Sequence, residues 1–357
     1  MVQQQIPYTY PTDLFSWGSS VNHLSQVARS AWIDLLRNLK DGTVSGVIGT
    51  PKRKTVGARQ YWYDHYRMGS RTIDRYIGED SAELRQRLDR QKELAAQDKA
   101  RERERARLMR ILRAEGLRTA DVNTGQIVTA MARTGVFRLG GTLVGTNAFL
   151  CYEGELGTRI GFDAAALTDD IDIASFERLS IVLEDRVDTP LADVFHDLKF
   201  APVPSLDARH VWRWRQTDRQ TMVEFLTPSF DAQEGLRPLP ALGVSAQGLH
   251  HLNYLIAEPI QVPFLYRYGA LVQVPRPERF AIHKLIVADR RRDGADSAKA
   301  EKDRAQAAFL IRVLAEERPI ELADAYAAAQ EKGPIWRRRI AASLDRMPTT
   351  RALLEGL

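Results

Sequence analysis

The stretch ALTDDIDIAS, residues 166–175, constrains this chain more than any other. Read as a strand, it puts Asp170 and Asp172 on one face and Ile171 and Ile173 on the other. Two carboxylates so close together repel each other unless a positive charge sits between them. A metal ion would supply that charge, and a pair of solvent-facing acids at a strand end is the competing reading. Asp169 falls on the isoleucine side by the same alternation and stays outside the pair.

A third acid is expected from MVEFLTP, where Val223 and Phe225 can enter the core while Glu224 faces the opposite side. An oxygen-rich site of this kind suits magnesium or manganese, with phosphate oxygens completing the coordination. Cys151 is the single cysteine, which excludes an internal disulfide framework and a cysteine-only metal cluster. No base motif adjoins it, so it reads as a core residue rather than a nucleophile.

Before the acidic strand, GGTLVGTNAF ends an apolar strand at Gly145 and Thr146 and opens a helix. Such a turn offers backbone N–H groups and a hydroxyl to a polyphosphate, although backbone geometry alone also explains the glycine. Neither the phosphate-loop motif nor the dinucleotide fingerprint is present.

The chain has 357 residues, enough for two or three packed units, with 44% hydrophobic and 27% charged residues. Lys plus Arg total 51 against 46 Asp plus Glu, a mild lean towards anionic partners. No apolar run is long enough to cross a bilayer and no secretory signal opens the sequence, so a cytoplasmic location is expected.

The pattern predicts a mixed N-terminal module over 1–80, a charged bracing helix over 81–118, a catalytic core over 119–232 and a mainly helical part over 233–357. In the first of these, Leu24, Val27, Trp32, Leu35, Leu36 and Leu39 recur at helical spacing. A β-hairpin over residues 59–78, turning at Gly69 and Ser70, is rich in aromatics. Lys52, Arg53, Lys54, Arg59, Arg67, Arg71 and Arg75 accompany it. That combination reads either as a nucleic-acid surface or as a small sheet with aromatics inward and basic groups outward.

VFRLGGTLVG reads as a strand or paired strands, and RHVWRWRQ with RQTMVEFLTP as a hairpin. Alternation would put Arg209, Val211, Arg213 and Arg215 on one face and His210, Trp212 and Trp214 on the other. The arginines suit an acceptor phosphate and the tryptophans suit packing.

Together, LVGTNAF, LTDDIDIA and MVEFLTP resemble the catalytic signature of the nucleotidyltransferase superfamily that includes DNA polymerase beta. The closer similarity is to a bacterial family of nucleotidyltransferase-like proteins with an extra N-terminal region and a helical C-terminal domain. It extends to VPRPERFAIHKLIVADRR and KAEKDRAQAAFLIRVL and covers residues from about 45 to 315. Two departures stand out: threonine replaces the usual serine at residue 146, and the gap from Gly145 to Asp170 is longer than in minimal forms.

The resemblance implies an α/β fold, a mixed-sheet nucleotidyltransferase core flanked by the N-terminal module and the helical C-terminal domain. It implies Asp170, Asp172 and Glu224 as ligands of Mg²⁺ or Mn²⁺, with Gly145 and Thr146 orienting a nucleoside triphosphate. It also implies that Lys284 reaches the phosphates, with Lys302 and Asp303 near the nucleotide or bracing Lys284. His283 falls on a different helix face from Lys284 and reads as a structural or surface histidine.

The implied reaction moves a nucleoside monophosphate onto an acceptor hydroxyl, on RNA or protein, and releases pyrophosphate. The alternative is an inactive nucleic-acid-binding or regulatory protein on the same fold. Oligomeric state is not encoded in these motifs.

Overall fold

Strand alternation and helical periodicity are realised in the computed structural model, which describes residues 21–41, 49–56, 59–68, 71–161, 170–176, 186–204, 210–231, 234–292 and 297–357. The expectations for Gly69, Ser70, Asp169 and Arg209 lie outside the described residues.

The chain opens with helix α1 (Gln26–Asp41) and a three-stranded antiparallel sheet of β1 (Thr50–Val56), β2 (Arg59–Met68) and β3 (Arg71–Glu79). The long helix α2 (Ala82–Ala114) and α3 (Val122–Arg133) follow. Asp121 caps α3 by accepting hydrogen bonds from the N–H groups of Asn123 and Thr124. The expected hairpin is present, and Lys52, Arg53, Lys54 and Arg67 are exposed on it while Tyr66 is buried. Lys54 is paired with Asp74 at 2.6 Å and lies 4.9 Å from the centre of the Tyr63 ring.

The central sheet gathers β4 (Thr142–Val144), β5 (Asp170–Ala174), β6 (Phe200–Pro202), β7 (Arg213–Gln216), β8 (Met222–Pro228), β9 (Leu236–Leu239) and β10 (Val244–Leu249). Its main path runs β4-β5-β8-β10-β9. Strand β8 is parallel to β5 and β10 and antiparallel to β7, which in turn pairs with β6. Helix α4 (Gly145–Glu155) leaves β4 directly, and α5 (Leu191–Asp197) precedes β6.

Beyond the sheet lie α6 (Leu252–Leu255), the hairpin β11 (Ile260–Phe264) and β12 (Ala270–Val274), and helices α7 (Pro277–Arg290), α8 (Ser297–Glu317), α9 (Pro319–Gln330), α10 (Pro334–Leu344) and α11 (Pro348–Glu355). Proline opens α7, α9, α10 and α11, where its missing N–H has no intrahelical partner to lose. The fold is thus a mixed α/β sheet followed by a helical C-terminal region.

Several expectations change. In VFRLGGTLVG only Thr142–Val144 is a strand, and residues 134–140 form turns. Strand β7 starts at Arg213, so His210 and Trp212 precede it. Strands β9 and β10 carry the sheet past residue 232, into the part expected to be mainly helical. Val27 is exposed although its spacing placed it on the apolar stripe of α1.

The core lies behind the sheet face opposite the acids. Ile171, Ile173, Val223 and Phe225 are all fully buried there. Burying a side chain of this size contributes about 1.5–3 kcal/mol each. Helix α7 is fastened to α4 by Phe280, whose ring is 6.2 Å from Phe149 and 5.3 Å from Tyr152. Among the described residues no helix is long and apolar enough to cross a membrane.

Candidate active site

The β5–β8 pairing turns an alternating sequence into a three-carboxylate face. Asp172 stands directly opposite Glu224 in the parallel register, and Asp170 lies two residues earlier on the same side of β5. Burial first, then the charges of Glu224 and Asp170, push the Asp172 carboxyl up to about 7. Burial also raises Glu224, against the pull of Arg213. Arg213 Nε is 3.5 Å from Glu224 Oε1, and its guanidinium lies 4.2 Å from the Trp212 ring centre. Arg213 therefore addresses the third acid, while Arg215 is exposed and Trp214 is buried against Phe195 and Phe225.

Gly145 holds the turn from β4 into α4 in the left-handed region, at φ 67°. A Cβ built there would sit 2.6 Å from Asp172 Oδ2, so the carboxylate comes within contact of the turn only because the residue is glycine. The amide of Asn147 donates to the backbone carbonyl of Asp170 at 2.9 Å, tying the first turn of α4 to the acidic strand. Thr146 is buried, and its hydroxyl lies at an α-helix N-terminus that favours negative charge.

A cleft of about 400 Å³ separates this sheet face from the helical region. Val144, Gly145, Thr146, Asp170, Asp172 and Leu226 line one wall. The opposite wall carries Phe280, His283, Lys284, Val287, Arg290 and Arg291 from α7 and the residue after it, and Lys299, Lys302 and Asp303 from α8. Lys284 donates to Asp303 Oδ1 at 2.5 Å, and Arg291 donates to Asp303 Oδ2 at 2.9 Å. Both Lys284 and Asp303 are buried, so each depends on the other for its charge. Burial and the neighbouring Lys284 lower the pKa of Lys302, which sits beside the pair.

The structure thus brings Gly145, Thr146, Asp170, Asp172, Lys284, Lys302 and Asp303 into one cleft. Glu224 borders Asp172 on the same sheet face and contacts Arg213, at the edge of the cleft lining. Lys284 is buried, and Asp303 braces it. His283 also lines the cleft, contrary to the separate face expected for it. A helix face open to a wide cleft spans more than the 100° between adjacent residues.

Arg290, Arg291, Lys299 and His250 line the site without having been expected there. A signal was present for Arg291 alone: Phe280, Lys284, Val287 and Arg291 recur at helical spacing along one stripe. Cys151 is buried, its thiol pushed up to about 12, and it donates to the Asn147 carbonyl. It is a core residue.

A nucleotidyltransferase family model matches residues 122–331, a span that contains every residue of the cleft. A second model, described as a domain of unknown function, matches residues 28–86. No curated protein and no solved structure matches the chain.

Proposed function

The chain belongs to the nucleotidyltransferase family, and on that premise we propose that its cleft moves a nucleoside monophosphate from a nucleoside triphosphate to an acceptor hydroxyl, on RNA or protein. The observation that carries this reading is the register of Asp172 against Glu224 with Asp170 on the same face, opposite a cationic helical wall.

The donor set fits Mg²⁺ or Mn²⁺: three carboxylates on one sheet face, where burial and like charges raise Asp172. Asp170, Asp172 and Glu224 would hold the ion, which when bound would screen the phosphates and polarise the acceptor oxygen. Among the described residues no group of three His, Cys, Asp or Glu side chains is gathered tightly enough to hold an ion unaided. Phosphate oxygens are the natural source of the remaining ligands.

The chain's own residues then divide the work. Thr146 and the first N–H groups of α4 orient the triphosphate. Lys284 and Arg291, fixed by Asp303, together with Lys302, attract the pyrophosphate that leaves. In the bond exchange the acceptor oxygen joins the α-phosphorus as the bond from that phosphorus to pyrophosphate breaks. Glu224, raised by burial, takes the acceptor proton.

The test is incubation with α-labelled nucleoside triphosphates, Mg²⁺ or Mn²⁺, and RNA or protein acceptors. Label should pass to one acceptor class and vanish with D170N/D172N. Release of the γ-phosphate alone would overturn the reading. A second reading, a binding or regulatory protein on this fold, draws on the Arg213 contact to Glu224 and predicts nucleotide binding without transfer.

A further inference from the structure

The cleft is not uniform along the sheet. Over β4 and β5 its floor is Gly145, Thr146, Asp170 and Asp172, whereas over β8 and β10 it is Leu226 and Leu249. Since the strands lie in the order β4-β5-β8-β10, the polar and apolar floors are centred about 10 Å apart, two strand spacings. Leu252 and Leu255 of α6 and Val287 of α7 complete the apolar end.

Helix α7 adds a histidine to the lining. His283 stands between Phe280 and Val287 on the stripe of α7. Its neighbour Lys284 is committed to Asp303, whereas the His283 ring is half-buried and opens onto the cleft. The rim beyond is closed by Arg290 and His250, which lie 3.4 and 3.3 Å from Glu234.

We propose that the apolar end is the nucleoside subsite and that His283 reads the hydrogen-bonding edge of the base, an inference that rests on the nucleotidyltransferase reading. A neutral imidazole offers one donor and one acceptor, the complement of a base edge. Burial and the positive charges of Lys284, Arg290 and Arg291 hold the ring neutral, with a pKa near 3. A neutral ring at this end suits a base, while the anionic part of the ligand belongs over β4 and β5.

Equilibrium binding of ATP, GTP, CTP and UTP, and of inorganic tripolyphosphate, with Mg²⁺ present, tests the assignment. The wild-type protein should separate the best and worst bases by about tenfold, the value of one buried hydrogen bond. H283L should compress that range to about twofold while tripolyphosphate affinity stays unchanged, and H283N should alter which base ranks first. A wild-type protein that does not rank the bases, an H283L protein that keeps the full wild-type range, or an H283N protein with the wild-type ranking overturns the role of His283. Absence of all nucleotide and tripolyphosphate binding by the wild type would instead sink the nucleotidyltransferase reading beneath it.

Discussion

The two walls of the cleft solve opposite electrostatic problems. On the helical wall, Lys284 and Arg291 share one buried carboxylate at 2.5 and 2.9 Å, so both cations meet an acid within the protein. On the sheet wall, Asp172 faces Glu224 across the register with Asp170 beside it, and Asp172 titrates near 7 because burial and its acidic neighbours resist ionisation. The helical wall carries its own counterion. The sheet wall gathers like charges instead, which on the proposed reading a bound cation would offset.

Breaking the sheet wall should have the largest effect. D172N should lower nucleotidyl transfer on the order of 10³-fold in the label-transfer assay, the scale seen when a charge-stabilising group is removed. The same variant should stabilise the metal-free protein at pH 8, read as a higher melting temperature, because it removes a buried repulsion. The pH dependence has a definite sign. Because the folded-state pKa of Asp172 lies above its ordinary 3.8, its favourable contribution is full below pH 3.8 and is lost as pH rises through about 7. The stability of wild type relative to D172N should therefore fall across that window and level off above it.

The helical wall should respond in the opposite way. D303A leaves Lys284 buried without its carboxylate and should destabilise the fold by about 3 kcal/mol, measured by chemical denaturation. G145A comes next, at about 1–2 kcal/mol, from the left-handed backbone alone. Its added methyl also presses on Asp172 Oδ2, so transfer should fall more than stability does. R215A lies outside both walls on an exposed position and should shift stability by less than about 0.5 kcal/mol. An equal loss in D172N and D303A metal-free stability would erase the contrast between the walls.

The shared face of Asp170, Asp172 and Glu224 was legible because strand alternation is a local property and the apolar partners Ile171, Ile173, Val223 and Phe225 mark the buried side. The parallel register that sets Asp172 opposite Glu224 was not, since nothing local specifies which residues of distant strands align. Strands such as LRPL and VSAQGL escaped notice because proline, glycine and small residues blur the alternation. The burial of Lys284 depends on an acid 19 residues away, beyond any helical spacing that reveals partners on one helix. His283 was set apart by adjacency to Lys284, when the width of the cleft admits both.

Helix α1 has a consequence for how the chain is made. Its Trp32 packs onto Gly154 of α4, where no larger side chain fits, and Arg29 reaches the carbonyl of Gly157, 128 residues downstream. Made before α4, α1 must wait for that later segment before Trp32 finds its seat. During synthesis its docking onto α4 is thus a late event that closes a long loop rather than an early nucleus. Synthesis cut short before α4 would leave Trp32 without that seat, an exposed apolar ring open to aggregation.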